Sequence, residues 1–233
     1  RYLRMADALI LSHVVAGVTT LISGLLAAFF GKKGGKLHRQ VGLVFYWSMF
    51  WIFISALLII SFVRFSAFLL VIAVFSWYMT FSGVRVLKLK KTMMAKPVDW
   101  TAAIITLLSG LFFIGMGFSY QLKAEWSSVV GYLCFFFGIF TAQTAWENIK
   151  GFRRGANQEK MWWWFAHMNS MCGALIASIT AFTVQNGEIF KLPSEMMWLP
   201  WVVPTIIGSP LIAYSMNKYR KKFKVGKYAA LNN

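Results

Sequence analysis

The chain has 233 residues, of which 58% are hydrophobic and only 13% are charged, yet its formal net charge is +17. Basic proteins that bind nucleic acid and basic disordered tails carry many more charged residues and far fewer large apolar ones. The composition therefore excludes both classes. Together with a mean hydropathy of +0.61, it indicates an integral membrane protein that crosses the bilayer several times.

A helix needs roughly 20 apolar residues to cross the hydrocarbon core of a bilayer. Seven runs meet this requirement, namely Ala8–Phe30, Gln40–Val63, Ala67–Leu87, Trp100–Gln121, Ser128–Asn148, Trp162–Gln185 and Met197–Met216. The second and third runs are separated only around Arg64, so a tight turn is expected at Val63–Ser66. The sequence predicts an all-α bundle of seven transmembrane helices. Residues 1–217 form one transmembrane domain, and residues 218–233 form a basic cytoplasmic tail.

Lys and Arg residues are distributed unevenly between the two ends of these spans. They concentrate in the connections after spans one, three and five and in the C-terminal tail. The few on the opposite side are Arg1, Arg4, Arg64, Lys123 and Lys191. Because basic loops stay in the cytoplasm, the N-terminus is predicted outside and the C-terminus inside. The basic side would face anionic lipid headgroups.

Polar side chains inside a span are costly and generally have partners or functions. Seven of them fall near the cytoplasmic ends of their spans, namely His38, Arg39, Arg85, Gln143, Glu147, His167 and Asn169. His13 lies alone in the outer leaflet. Histidine is the most common metal ligand and also binds haem iron axially. One interpretation is a polar cavity, open to the cytoplasm, in which His38 and His167 bind a transition metal or haem.

The other interpretation is a satisfied network between helices. In it, Glu147 pairs with Arg39 or Arg85, while His167 hydrogen-bonds a backbone carbonyl. Asp99, which follows Pro97, is expected to be the N-cap of the fourth span rather than a catalytic acid.

Several well-known membrane and enzyme classes are disfavoured by the residues present. A retinal protein needs a Schiff-base lysine in its last span, and the seventh run contains none. Three histidines are too few for two bis-histidine haems. The sequence also lacks a P-loop and the HExxH and GxSxG motifs. Cys134 and Cys172 lie in apolar runs and are expected to be buried thiols rather than a disulfide framework.

Three segments together carry a family resemblance. Gly35–Gly42 has the pattern Gly-x-x-His-Arg-x-x-Gly, and the later segments are His167–Met171 and Trp198–Pro210. They resemble a bacterial family of predicted multi-span membrane proteins of unknown function, whose members have a histidine in the first span. The resemblance implies a helical fold in a bacterial cytoplasmic membrane. It also implies that the matching polar positions recur in the family, namely His13, His38, Arg39 and His167.

The leading functional hypothesis is a membrane protein that binds a small ligand or cofactor, such as haem or a metal, through His38 and His167. Gln143 and Glu147 would orient these ligands. Arg39 and Arg85 would neutralise an anionic group such as a propionate or phosphate. The alternative is an accessory or structural subunit of a larger membrane complex, without chemistry of its own. A transporter or channel is disfavoured because no span has a charge near its midplane. Whether the protein is an enzyme stays open.

Overall fold

The computed structural model describes residues 2–30, 32–92, 94–125, 128–193, 196 and 198–229. Its seven long helices are α1 (Tyr2–Phe29), α2 (Lys36–Phe62), α3 (Ala67–Thr92), α4 (Pro97–Lys123), α5 (Val129–Arg154), α6 (Trp162–Gln185) and α7 (Leu199–Phe223). Short 3₁₀ turns follow α6 at Gly187–Phe190 and α7 at Gly226–Tyr228. The described residues contain no strand, and every long helix is apolar and long enough to cross a bilayer. The predicted seven-helix architecture is confirmed.

The turn expected between the second and third spans is present. The backbone N–H groups of Val63 and Arg64 both donate to the carbonyl of Ile59, at 2.9 and 3.0 Å. The hydroxyl of Ser66 then accepts a hydrogen bond from the backbone N–H of Leu69 at 3.3 Å. Since the first N–H groups of a helix lack partners within it, Ser66 satisfies one of them and helps α3 to begin.

The start of α4 differs in detail from the prediction. Lys96 is the N-cap, Pro97 occupies the first helical turn, and Asp99 is the third helical residue. The prediction that Asp99 is the N-cap is therefore wrong by three residues. Its carboxylate accepts from the backbone N–H of Lys96 at 2.9 Å, which is the carboxylate half of a capping box.

Helix α3 lies at the centre of the bundle and packs against α2, α4, α5 and α6. The backbones of α4 and α5 approach one another closely. A Cβ added at Gly110 would lie 2.6 Å from the backbone nitrogen of Ala142, so only glycine fits there. Small residues let two helix backbones come close together in a membrane. Helix association there depends on such packing, because apolar side chains gain no hydrophobic free energy by moving out of lipid.

Helix α7 lies at the periphery, where it packs mainly on α6. It continues through the first residues of the predicted basic tail as far as Phe223. The rings of Tyr219 and Phe223 contact Trp164 at the start of α6, with centroids 4.3 and 5.3 Å away. This aromatic cluster fixes the end of α7 to α6. Arg1 and the last four residues of the tail lie outside the described residues.

Candidate functional site

His38 lies in the first turn of α2 and faces the end of α1. Its Nδ1 is 3.1 Å from the carbonyl oxygen of Ala27. Ala27 is in the last turn of α1, where carbonyls have no partner within the helix. The Lys33 ammonium donates to the same oxygen at 2.8 Å and also to the carbonyl of Ala28, and burial lowers the pKa of Lys33. The end of α1 therefore fixes the orientation of the His38 ring.

His167 is held in the same manner by α3. Its Nδ1 lies 2.7 Å from the carbonyl oxygen of Gly83. A Cβ at Gly83 would come within 3.0 Å of Ser170 and Met171 on α6. Because position 83 has no side chain, α6 approaches closely enough for the imidazole to reach this carbonyl. The predicted hydrogen bond between His167 and a backbone carbonyl is confirmed, and Gly83 is a positioning residue that the sequence did not single out.

The imidazoles of His38 on α2 and His167 on α6 are neighbours in a T-shaped, edge-to-face arrangement. Their ring centroids are 6.3 Å apart and their planes are inclined by 76°. A carbonyl oxygen can only accept, so Nδ1 of each ring must carry a proton. In the neutral imidazole the other nitrogen, Nε2, then holds a free lone pair. Neither Nε2 is hydrogen-bonded within the described chain. Both histidines are therefore in the tautomer that binds metals through Nε2.

Arg85, on α3, is engaged elsewhere. Its guanidinium donates two parallel hydrogen bonds to the carboxylate of Asp99, at 2.6 and 2.8 Å. Asp99 is only 2% exposed. Glu147 instead forms an exposed ion pair with Lys150, one turn along α5, at 2.5 Å. The predicted pairing of Glu147 with Arg39 or Arg85 is therefore wrong, and the carboxylate that neutralises Arg85 comes from the next helix in the chain.

The predicted polar cluster is divided by α3 and α6 into two groups. On one side lie His38 and His167. On the other side is a cavity of about 370 Å³, bordered by Arg85, Glu147 and Asn169 but by neither histidine. Gln143 is exposed on α5 and borders a second cavity of about 300 Å³. Arg39 is exposed at the start of α2, beside His38.

His13 lies in the N-terminal half of α1, near the middle of the helix. Its Nδ1 is 2.8 Å from the hydroxyl oxygen of Ser55 on α2. That hydroxyl donates to the carbonyl of Trp51 at 2.6 Å, so its oxygen accepts from the histidine. This bond between α1 and α2 is separate from the pair formed by His38 and His167.

The number of potential ligands limits the kind of metal site that the chain can form. Among the described residues, no three His, Cys, Asp or Glu side chains converge as metal ligands. Closed structural zinc sites use four protein ligands, so the described residues do not form one. Two imidazoles equal the number of axial positions of a haem iron. They also suit an ion whose other ligands are not protein groups.

No family model, curated protein or solved structure matches this chain. The resemblance carried by the Gly-x-x-His-Arg-x-x-Gly segment therefore stays a prediction.

Proposed function

We propose that this integral membrane protein binds one metal atom between Nε2 of His38 and Nε2 of His167. The observation that supports the proposal is that both Nδ1 atoms donate to backbone carbonyls, of Ala27 and Gly83, while the two ring centroids lie 6.3 Å apart in a T-shaped arrangement. Carbonyl-bonded imidazoles of this kind are the usual form of metal-binding histidines. Four helices contribute to the pair, α2 and α6 through the histidines and α1 and α3 through the carbonyl acceptors, so the ligands are oriented before the metal binds.

The protein supplies two ligands, and the remaining coordination positions belong to groups that are not part of the described chain. For a bare ion these are water or a substrate, and imidazole ligands suit zinc, copper, iron and nickel. For haem they are the four porphyrin nitrogens. Neither the cavity of about 370 Å³ nor that of about 300 Å³ borders an imidazole, so neither of them would hold a porphyrin bound by this pair.

Arg39 is a cation that remains available to an anionic group at this site. It is exposed and lies next to His38 in the first turn of α2, whereas Arg85 is neutralised by Asp99. Of the two arginines assigned to this role from the sequence, Arg39 is therefore the one that the proposal retains.

Elemental analysis and an absorption spectrum of the gently purified protein, before and after dithionite, test the proposal. We expect one metal per chain, with a Soret band if the metal is haem iron. A protein that is colourless and free of metal, and that takes up none when offered zinc, copper, iron or nickel salts or hemin, would contradict it. Stoichiometric co-purification of other membrane proteins in that case would favour the accessory-subunit alternative.

A further inference from the structure

A groove runs along the bundle between α5 and α6. Both helices pack on α3 but barely contact one another. The two cavities of about 370 and 300 Å³ both lie in this gap, and Glu147, Asn148 and Asn169 border both of them. The cavities are therefore two parts of one groove. It extends from the ends of the helices, where α5 ends and α6 begins, towards the middle of the bundle.

The groove is polar at the ends of the helices. Arg154 and Arg220 border it there, and neither guanidinium forms an ion pair or hydrogen bond with the described chain. Trp162 borders the same cavity, and its indole N–H is buried without a hydrogen-bond partner. A buried N–H that lacks an acceptor is costly. Two guanidinium groups without a carboxylate partner and one unsatisfied N–H thus belong to side chains around one space, and a phosphate group is an acceptor for donors of this kind.

The carboxylates around this end do not cancel these cations. Asp99 is neutralised by Arg85, and Glu147 is paired with Lys150. Glu159 is exposed at the rim and lies beside Gly226, as does the guanidinium of Arg220, although these two described side chains form no ion pair. Arg154 and Arg220 therefore outnumber the single carboxylate that has no cation partner, and this part of the groove has a positive balance.

Deeper in the bundle large apolar side chains line more of the groove. Phe136, Phe140, Ile176 and Ile212 border it there, together with hydroxyl side chains such as those of Thr144, Thr180 and Ser209. This part lies between α5, α6 and α7, which are apolar and long enough to cross a bilayer. A more apolar part that continues directly from a cationic end has the polarity pattern of a phospholipid, in which an acyl chain follows a phosphate.

We propose that the α5–α6 groove binds one glycerophospholipid. Its phosphate lies between Arg154, Arg220 and Trp162, and one acyl chain lies between α5 and α6. The polar end is on the basic side of the protein, where the leaflet's headgroups would be. The site is distinct from the proposed metal site, because neither His38 nor His167 borders the groove.

Native mass spectrometry of the full chain, washed in a mild detergent and offered a dioleoyl phosphatidylglycerol, tests the phosphate contacts. We expect one lipid adduct that survives washing, and an affinity at least about tenfold weaker in the double variant Arg154→Gln, Arg220→Gln, because two charge-assisted contacts are lost. The matched control, Arg153→Gln with Lys221→Gln, removes the same net charge from neighbouring exposed positions and should bind like the wild type. Equal weakening by both pairs would overturn the proposal. So would the lack of any retained adduct.

A second variant tests the acyl-chain contact. Thr144→Trp places a bulky ring in the apolar part of the groove, and we expect it to reduce lipid retention. Leu108→Trp, at an exposed position of α4, is the matched control and should not. Inorganic phosphate at millimolar concentration should fail to displace the lipid, because it lacks the chain. Displacement by phosphate, or full retention by Thr144→Trp, would show that the groove does not bind a phospholipid.

Discussion

Arg85 and Asp99 form a bidentate ion pair that joins α3 to α4 at the end of the bundle where α4 begins. The same carboxylate also accepts from the backbone N–H of Lys96, so one side chain both neutralises the arginine and caps the helix. The pair therefore couples the start of α4 to the central helix.

We predict that Asp99→Ala destabilises the protein by about 3 kcal/mol, because it leaves the Arg85 guanidinium without its partner in a largely buried place. The midpoint of thermal unfolding in detergent would measure this. The double variant Arg85→Met, Asp99→Leu should recover part of the loss, since no buried charge is left unpaired. The claim fails if Asp99→Ala unfolds at the wild-type temperature.

Glu147→Gln provides a comparison with an exposed pair. Its partner Lys150 lies on the same helix face, and both side chains are well exposed. Ion pairs of this kind contribute about 0–1 kcal/mol. We therefore expect almost no change in the unfolding midpoint. A loss as large as that of Asp99→Ala would mean that Glu147 has a buried partner, contrary to the structure.

Gly110→Ala tests the close contact of α4 and α5. The added methyl group would meet the backbone of Ala142 at under 3 Å, and backbone cannot move aside as a flexible side chain can. We expect a loss of about 1–3 kcal/mol from overpacking. Gly115→Ala, on the same helix, has nothing within 4 Å of the new Cβ and should leave stability unchanged or slightly higher. Equal effects of the two substitutions would argue against this packing.

Orientation in the membrane can be measured with single cysteines in a variant lacking Cys134 and Cys172. The charge distribution predicts that Lys191→Cys faces outside and Lys227→Cys faces the cytoplasm. A maleimide that does not cross membranes should label the first in intact cells and the second only after permeabilisation. The reverse pattern would invert the predicted topology.

The seven helices could be predicted from the sequence because a span is defined by local properties, namely length, apolar content and flanking charge. The partners of the polar residues could not be predicted in the same way. One interpretation of the sequence pairs Glu147 with Arg39 or Arg85. Which side chains meet depends on the rotation of each helix about its axis, and long apolar runs specify that rotation poorly. Asp99 lies on the same basic side of the predicted topology, so the sequence did contain it as a possible partner for Arg85.

The histidine pair was predicted correctly in one respect. Both residues were expected at the same end of the bundle, and their rings are neighbours there in an edge-to-face pair. What fixes them was not visible in the sequence, because the acceptors are the backbone carbonyls of Ala27 and Gly83. The one sequence signal for an acceptor was Gly83, near the end of the third apolar run, and many glycines in membrane helices serve packing alone.

The central claim is that His38 and His167 bind a metal atom together. Metal content per chain, measured side by side in the wild type and in His38→Ala, His167→Ala and His13→Ala, tests it most directly. We predict one metal per chain in the wild type and in His13→Ala, because the wild-type His13 ring bonds Ser55 on α2 and is separate from the pair. We predict loss of the metal in the other two variants. Equal metal content in all four proteins would contradict the claim.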